Sequence, residues 1–293
     1  MIQEIAPHKL NNQYEPRKVE NGDFIIYSES GCVLVYKEEN SFRLPVISEK
    51  NGSFVNSWNE NIDTEALIYL FKVDDKAYFW DRNTRIEVDK TPDGTEYVHM
   101  QMLSRMEPKW QGFAGASAVH LINWYRSMKY CGICGGERIH DSKERMMYCP
   151  HCKDMQFPKI CPVVIVGVIK GDKILLTKYA DRGRFARFAL IAGFAEFAES
   201  IEETVYREVK EETNLDVKNL HFYRSQPWAF SSSLLMGFFC ELDGEDHIAF
   251  NDNELSTAVW MPPEEMPEDT DHISLTAEMM QQFRKYGRDV LIR

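Results

Sequence analysis

The 293-residue chain has no run of about 18 apolar residues, so no membrane-spanning helix is expected. Its start, Met1-Ile2-Gln3-Glu4-Ile5-Ala6-Pro7-His8, lacks the basic flank and apolar core of a secretory leader. Its end, Leu291-Ile292-Arg293, carries no peroxisomal or retention tag. Positive charge is scarce: 34 Lys and Arg stand against 46 Asp and Glu, a formal net charge of −12. That balance argues against a protein that coats nucleic acid, although net charge says nothing about a single basic cleft. Cysteines number seven, and four of them crowd between 131 and 152. An odd total with one tight cluster excludes a disulfide framework and indicates a metal site in a reducing compartment, hence a cytoplasmic protein. Internal repeats and low-complexity tracts are absent.

What remains is an ordinary globular composition, 44% apolar and 27% charged, long enough for two domains and a small insert. The region to about residue 105 reads as short strands. Phe24-Ile25-Ile26-Tyr27, Val33-Leu34-Val35-Tyr36, Leu67-Ile68-Tyr69-Leu70-Phe71 and Tyr78-Phe79-Trp80 are β-branched or aromatic runs separated by Asn and Gly turns. A helix follows, with Ala118, Leu121, Ile122, Tyr125 and Met128 on one face. Beyond the cysteines, buried strands are predicted at 163–168 and 174–176 around a Gly171-Asp172 hairpin turn, then a strand-like Phe188-Ala189-Leu190-Ile191. A helix over about 200–213, strands at 220–225, 234–241 and 255–260, and a helix near 275–286 complete an α+β pattern.

Cys131-Gly132-Ile133-Cys134 and Cys149-Pro150-His151-Cys152 are two Cys-x-x-Cys knuckles. Together they supply the four tetrahedral thiolates that Zn2+ prefers, leaving no position for water, so the ion is expected to be structural. Cys32, Cys161 and Cys240 are isolated and read as core residues.

The segment from Gly193 to Glu212 is acidic. Ser200 and Glu203 form a capping box at its helix start. At about 100° per residue, Ile201, Val205 and Val209 share an inward stripe, with Glu208 and Glu212 within about 60° of Val205 and Glu211 on the flank. Inward carboxylates need partners, and divalent cations suit hard oxygen donors. The small Ala192 and Gly193 are expected in a loop that comes close to a ligand.

The spacing Gly193, five residues, Glu199, seven residues, Arg207-Glu208-Val209-Lys210-Glu211-Glu212-Thr213-Asn214-Leu215 resembles the Nudix hydrolase box. Asn214 stands where the family has Gly, and Asn is the next best residue for a left-handed cap. Ser225-Gln226-Pro227-Trp228-Ala229-Phe230-Ser231-Ser232-Ser233 resembles the signature of NADH pyrophosphatases within that family, with Ala229 and Ser231 replacing two prolines.

The resemblance implies a strand-rich N-terminal Nudix-like domain (1–105), a linking helix (106–130), a zinc ribbon (131–156) and a C-terminal Nudix α/β/α sandwich with a mixed sheet (157–293). It implies hydrolysis of the diphosphate of NADH or NAD+ to nicotinamide mononucleotide and AMP, and removal of NAD caps from RNA 5′ ends. By the same resemblance Glu208, Glu211, Glu212, Glu254 and the carbonyl of Ala192 hold Mg2+ or Mn2+, and one of Glu208, Glu211 and Glu254 is the general base. Gly193, Glu199 and Arg207 are structural, Arg207 pairing with Glu199. Phe157, Phe194, Glu144, Thr276 and the stretch Gln226, Pro227, Trp228, Ala229, Phe230, Ser231, Ser232 and Ser233 contact substrate, in a homodimer. The alternatives are a Nudix enzyme for ADP-ribose or a dinucleoside polyphosphate, and a catalytically silent module that senses a nucleotide or RNA.

Overall fold

The computed structural model describes residues 1–39, 41–180, 187–250, 255–269 and 271–292. They fall into two compact units: an N-terminal one of Ile2–Lys159 with Ala229–Ser231, and a C-terminal one of Met1, Ile160–Trp228 and Ser232–Arg293.

In the N-terminal unit the main strands are β1 (Phe24–Ile26), β2 (Cys32–Lys37), β3 (Leu67–Val73), β4 (Lys76–Asp81) and β5 (Thr95–His99). β4 lies between antiparallel β3 and parallel β1, while β2 pairs with β5 in a second sheet. These strands read as unbroken apolar runs because both of their faces are buried. Phe24, Ile26, Val33 and Val35 enter one cluster, and Ile25, Tyr27 and Leu34 enter another. Helix α1 (Lys109–Ser127) joins the first cluster through Ala118, Ile122 and Tyr125, with Leu121 and Met128 packed at its margin. Three short antiparallel strands follow, β6 (Ile139–His140), β7 (Met147–Tyr148) and β8 (Met155–Gln156).

The C-terminal unit is built on a mixed sheet. Its strands are β9 (Cys161–Lys170), β10 (Lys173–Tyr179), β11 (Ile191–Phe194), β12 (Asp216–Trp228), β13 (Ser233–Asp243) and β14 (Leu255–Met261). The order is β12-β13-β9-β10-β14, with β11 also on β9; among the described residues of this sheet only β9 and β13 are parallel. Alternation along β9 defines the layers. Val164, Val166 and Val168 face Val205 and Val209 of helix α2 (Ile201–Thr213). Val163, Ile165 and Ile169 face Leu275, Met279 and Phe283 of helix α3 (Leu275–Tyr286). The result is the expected α/β/α sandwich, and each fully buried valine of α2 contributes roughly 1.5–3 kcal/mol to holding it.

Two elements depart from expectation. Ala192 and Gly193 lie inside β11, opposite Ile165 and Val164, rather than in a loop. Strand β12 runs on through Trp228, which pairs with Ser233, so the expected aromatic loop contracts to the single 3-10 turn Ala229–Ser231. Cross-strand pairing with Leu234 and Leu235 overrides the turn chemistry of Pro227.

Candidate functional site

Helix α2 starts as its sequence requires. The Ser200 side chain accepts from the Glu203 N–H, and the Glu203 carboxylate accepts from the Ser200 N–H at 2.7 Å. It stops at Asn214, which adopts the left-handed conformation (φ 61°, ψ 13°) and donates its N–H to the Lys210 carbonyl. Between these ends the amphipathic pattern aims the acids as expected. Glu212 is 4% exposed, Glu208 is largely covered, and the Glu211 side chain is 58% exposed.

Gly193 explains how Glu208 reaches its place. A Cβ on Gly193 would lie 1.9 Å from the Glu208 carboxyl carbon. Glycine therefore leaves the Glu208 carboxylate its seat against β11; a larger side chain would make that carboxylate move.

Arg207 binds the surrounding acids. Its guanidinium donates to Glu199 at 2.6 and 3.0 Å, to Glu208 at 2.7 Å, to Glu211 at 2.9 Å and to the Phe194 carbonyl at 2.8 Å. Glu199 also accepts from the Glu196 N–H and the Thr204 hydroxyl. These bonds hold a loop in which Ala198 has a φ of 67°, a conformation costing an L-residue roughly 1–2 kcal/mol. Arg207 pulls the Glu199 carboxyl down to about 2, whereas burial pushes the Glu208 carboxyl above its ordinary value despite the same arginine.

The four cysteines converge in the N-terminal unit. The Sγ atoms of Cys131, Cys134, Cys149 and Cys152 all lie within 4.8 Å of one another. Each pair sits in a matching turn: the Gly135 N–H donates to the Cys131 carbonyl, and the Lys153 N–H to the Cys149 carbonyl, both at 2.9 Å. Amide N–H groups, that of Cys134 on Cys131 and that of Cys152 on Cys149, draw these two thiols below their ordinary value, while against the Asp154 N–H the other three sulfurs push the Cys152 thiol up to about 12. Arg138 ties the turns together through Asp154 and the Tyr130 carbonyl, each at 2.5 Å. The cluster fits a tetrahedral thiophilic ion. Of the three remaining cysteines, only Cys240 is fully buried; Cys32 and Cys161 are half-buried.

These features together, a Glu-lined helix, a strand glycine beneath it and a sandwich around both, agree with sequence comparison. Residues 160–283 match the NUDIX domain family model. This match falls within the C-terminal, NUDIX-like unit. The chain is 39% identical over 150 residues to a protein named NAD-capped RNA hydrolase NudC from Pectobacterium atrosepticum, a span of 51% of this chain and 57% of that protein. It is 41% identical over 149 residues to the protein of the same name from Escherichia coli K12, with the same coverage. The chain thus spans a little over half the length of these curated relatives. A crystal structure of a NUDIX hydrolase from Nitrosomonas europaea is 24% identical, with a TM-score of 0.45 over 54% of this chain and 91% of that one.

A pocket of about 630 Å³ in the NUDIX unit is lined by Trp228 and Thr276, two of the expected substrate residues. It also contains Lys178, Arg187, Phe188, Asp269 and Asp271, which the sequence pattern did not single out. Lys178 lies over the Phe188 ring at 4.2 Å, and Arg187 pairs with Asp271 at 3.4 Å. They come from three separate segments, so no motif joins them.

Other expected contacts are placed elsewhere. Gln226 is fully buried: its amide donates to the Ile273 carbonyl at 2.9 Å, and its carbonyl accepts from the Leu275 N–H at 2.6 Å. It anchors the start of α3 and is closed to a ligand. Ser233 is likewise buried within β13. Ala229 and Phe230 pack against the N-terminal unit's main cluster, while Pro227 and Ser231 are exposed and Ser232 is half-buried with φ 55°. Phe157 (54% exposed) and Glu144 lie at the surface of the N-terminal unit, and Phe194 at that of the NUDIX unit. Glu254 lies outside the described residues.

Proposed function

We propose that the chain is a metal-dependent diphosphatase that hydrolyses NADH or NAD+ to nicotinamide mononucleotide and AMP, and removes NAD caps from RNA 5′ ends. The observation that carries this reading is the inward pair Glu208 and Glu212, with Glu208 seated in the space left by Gly193. The relatives named NAD-capped RNA hydrolase support the substrate class.

Glu208, Glu211 and Glu212 offer hard carboxylate oxygens suited to Mg2+ or Mn2+, with the Ala192 carbonyl and, by sequence, Glu254 as further donors. Such an ion, when bound, neutralises diphosphate charge and lowers the pKa of a coordinated water. Arg207 fixes the carboxylates of Glu208 and Glu211 and braces the loop through Glu199. One of Glu208, Glu211 and Glu254 takes the proton from the attacking water. Trp228, Thr276 and Phe194 of the NUDIX unit recognise the nucleotide; aromatic faces suit a planar base. The sequence resemblance adds Phe157 and Glu144 as substrate contacts. The four-cysteine cluster holds one Zn2+, which is structural because four thiolates leave no open position. A homodimer in a reducing cytoplasm completes the reading, resting on the sequence resemblance and on seven free thiols.

Product analysis with NADH, NAD+, ADP-ribose and NAD-capped RNA tests it. NADH is expected to yield the two mononucleotides, and Glu212→Gln to lower turnover by about 10²-fold or more. Preference for ADP-ribose would transfer the enzyme to another nucleoside diphosphate. Nucleotide binding without turnover in either metal would make the chain a sensing module.

A further inference from the structure

The geometry points to a second ligand site, within the N-terminal unit, where Arg82 and His140 receive the phosphate group of a small phosphorylated molecule. Two cavities of this unit, about 640 and 580 Å³, share Ile68, Arg82 and His140 in their walls. Arg82 follows directly on β4 and is exposed; among the described residues it forms no hydrogen bond or ion pair. His140 belongs to β6, and its ring is tilted against that of Tyr125 with centres 4.6 Å apart. Its Nε2 is buried with no hydrogen-bond partner.

A buried polar nitrogen without a partner is uncommon and calls for an explanation such as a ligand. The surrounding charge states which kind. Burial, reinforced by the guanidinium groups of Arg82 and Arg145, holds the His140 pKa down to about 4. Arg145 is kept in place by the carbonyls of Asn12 and Leu70, and its Nε also lacks a partner. The carboxylates that line the same walls are engaged or solvated. Glu29 pairs with Arg85 at 3.1 Å, Asp81 accepts the N–H groups of Asn83 and Thr84, and Glu65 and Glu137 are exposed. An anion placed between Arg82 and His140 meets unneutralised positive charge and an unused ring nitrogen, which donates to it in the Nε2–H tautomer. Charge-assisted bonds of this kind are among the strongest a protein makes to phosphate.

The walls extend the argument beyond the anion. Tyr14 and Tyr69 line one cavity, and Trp80 and Tyr125 the other. Flat aromatic walls on either side of a phosphate point suit a mononucleotide, although inorganic phosphate shares the decisive chemistry. The chain's net charge of −12 makes this local reversal of sign more telling, because a general basic surface cannot account for it.

Amide hydrogen exchange on the full chain, with its metals, tests the site and separates it from the NUDIX unit. AMP, ribose 5-phosphate and inorganic phosphate are each expected to slow exchange in peptides covering 78–86 and 138–148, and adenosine is not. Tighter protection by AMP identifies a mononucleotide site; equal protection by phosphate identifies a free-phosphate site. Arg82→Ala, at an exposed position, is expected to keep the melting temperature and NADH turnover while raising the half-saturating concentration about tenfold. His140→Phe should do the same with the stacking ring retained. Protection that survives Arg82→Ala, equal protection by adenosine, or none with any phosphate overturns the proposal.

Discussion

The two units manage like charges in opposite ways. In the NUDIX unit three carboxylates, Glu199, Glu208 and Glu211, share the one guanidinium of Arg207. In the N-terminal unit, Arg82 and Arg145 both act on His140, and no carboxylate is among the charges that shift it. The first arrangement contains its own partial countercharge, which keeps the acids together and leaves a negative excess for a divalent cation. In the second, burial and the two guanidinium groups keep the histidine neutral, and the charges acting on it are both positive. A fold tolerates clustered charge when it builds in a counterion or reserves room for one.

The largest expected effect falls on the four-cysteine cluster of the N-terminal unit. Cys149→Ser removes one of four thiolates, and structural zinc is typically worth roughly 10–16 kcal/mol of binding. Elemental analysis should drop from about one zinc per chain to near none. The calorimetric transition of the N-terminal unit should weaken while that of the NUDIX unit persists. Retention of both metal and transition would remove the ribbon from the comparison.

Gly193→Ala strikes the acidic side. Its Cβ would displace the Glu208 carboxyl, and misplacing a catalytic group by about 1 Å costs on the order of 10² in turnover. The overpacking should also cost roughly 1–3 kcal/mol in denaturant unfolding. Adding Glu208→Ala is expected to restore stability but not activity. If the double variant remains as unstable as Gly193→Ala, the glycine serves something other than Glu208.

Phe157→Ala and Trp228→Ala separate surface recognition from packing. Phe157 is exposed, so its loss should lower kcat/KM for NADH about 10- to 100-fold at an unchanged melting temperature, given roughly 1–3 kcal/mol for one stacked base. Trp228 packs against the cluster beneath α3, so its loss should lower both quantities. Unchanged NADH kinetics in Phe157→Ala would make that ring irrelevant to substrate.

The smallest effect is a difference in acid response. Folded His140 has a pKa near 4 against an ordinary 6.5, so between these values only the unfolded chain takes up the proton. Its contribution is complete above pH 6.5 and is lost as pH falls toward 4. Glu199 is depressed to about 2 from 4.5, so its contribution is complete above pH 4.5 and fades only below that. Amide exchange followed on acidification should show the N-terminal unit loosening first, and His140→Gln should reduce that early loss. Simultaneous loosening, unchanged by the substitution, would erase the distinction.

Much of this molecule was legible from residue order because its key features are local. Ser200 and Glu203 are three residues apart and cap one helix; Asn214 ends it; the two Cys-x-x-Cys turns each form within a few residues. The wheel that turned Glu208 and Glu212 inward follows from helical geometry alone, once Val205 and Val209 mark the core. Gly171-Asp172 closes the hairpin between β9 and β10 for the same local reason, with Gly171 at φ 60°.

Tertiary structure decided what depends on partners distant in sequence. Only pairing with β13 shows that Ser225–Trp228 is strand, and only α3 explains why Gln226 is buried rather than turned toward a ligand. The need for glycine at 193 arises from Glu208, 15 residues away, through the packing of α2 over β11. His140 on β6 and Arg82 just beyond β4, 58 residues apart, acquire their joint character only when folding brings them together. Residue order specifies which groups a turn or a helix face presents, because bond geometry sets those distances. Burial and the field at a side chain are sums over everything packed around it, and those sums exist only in the assembled fold.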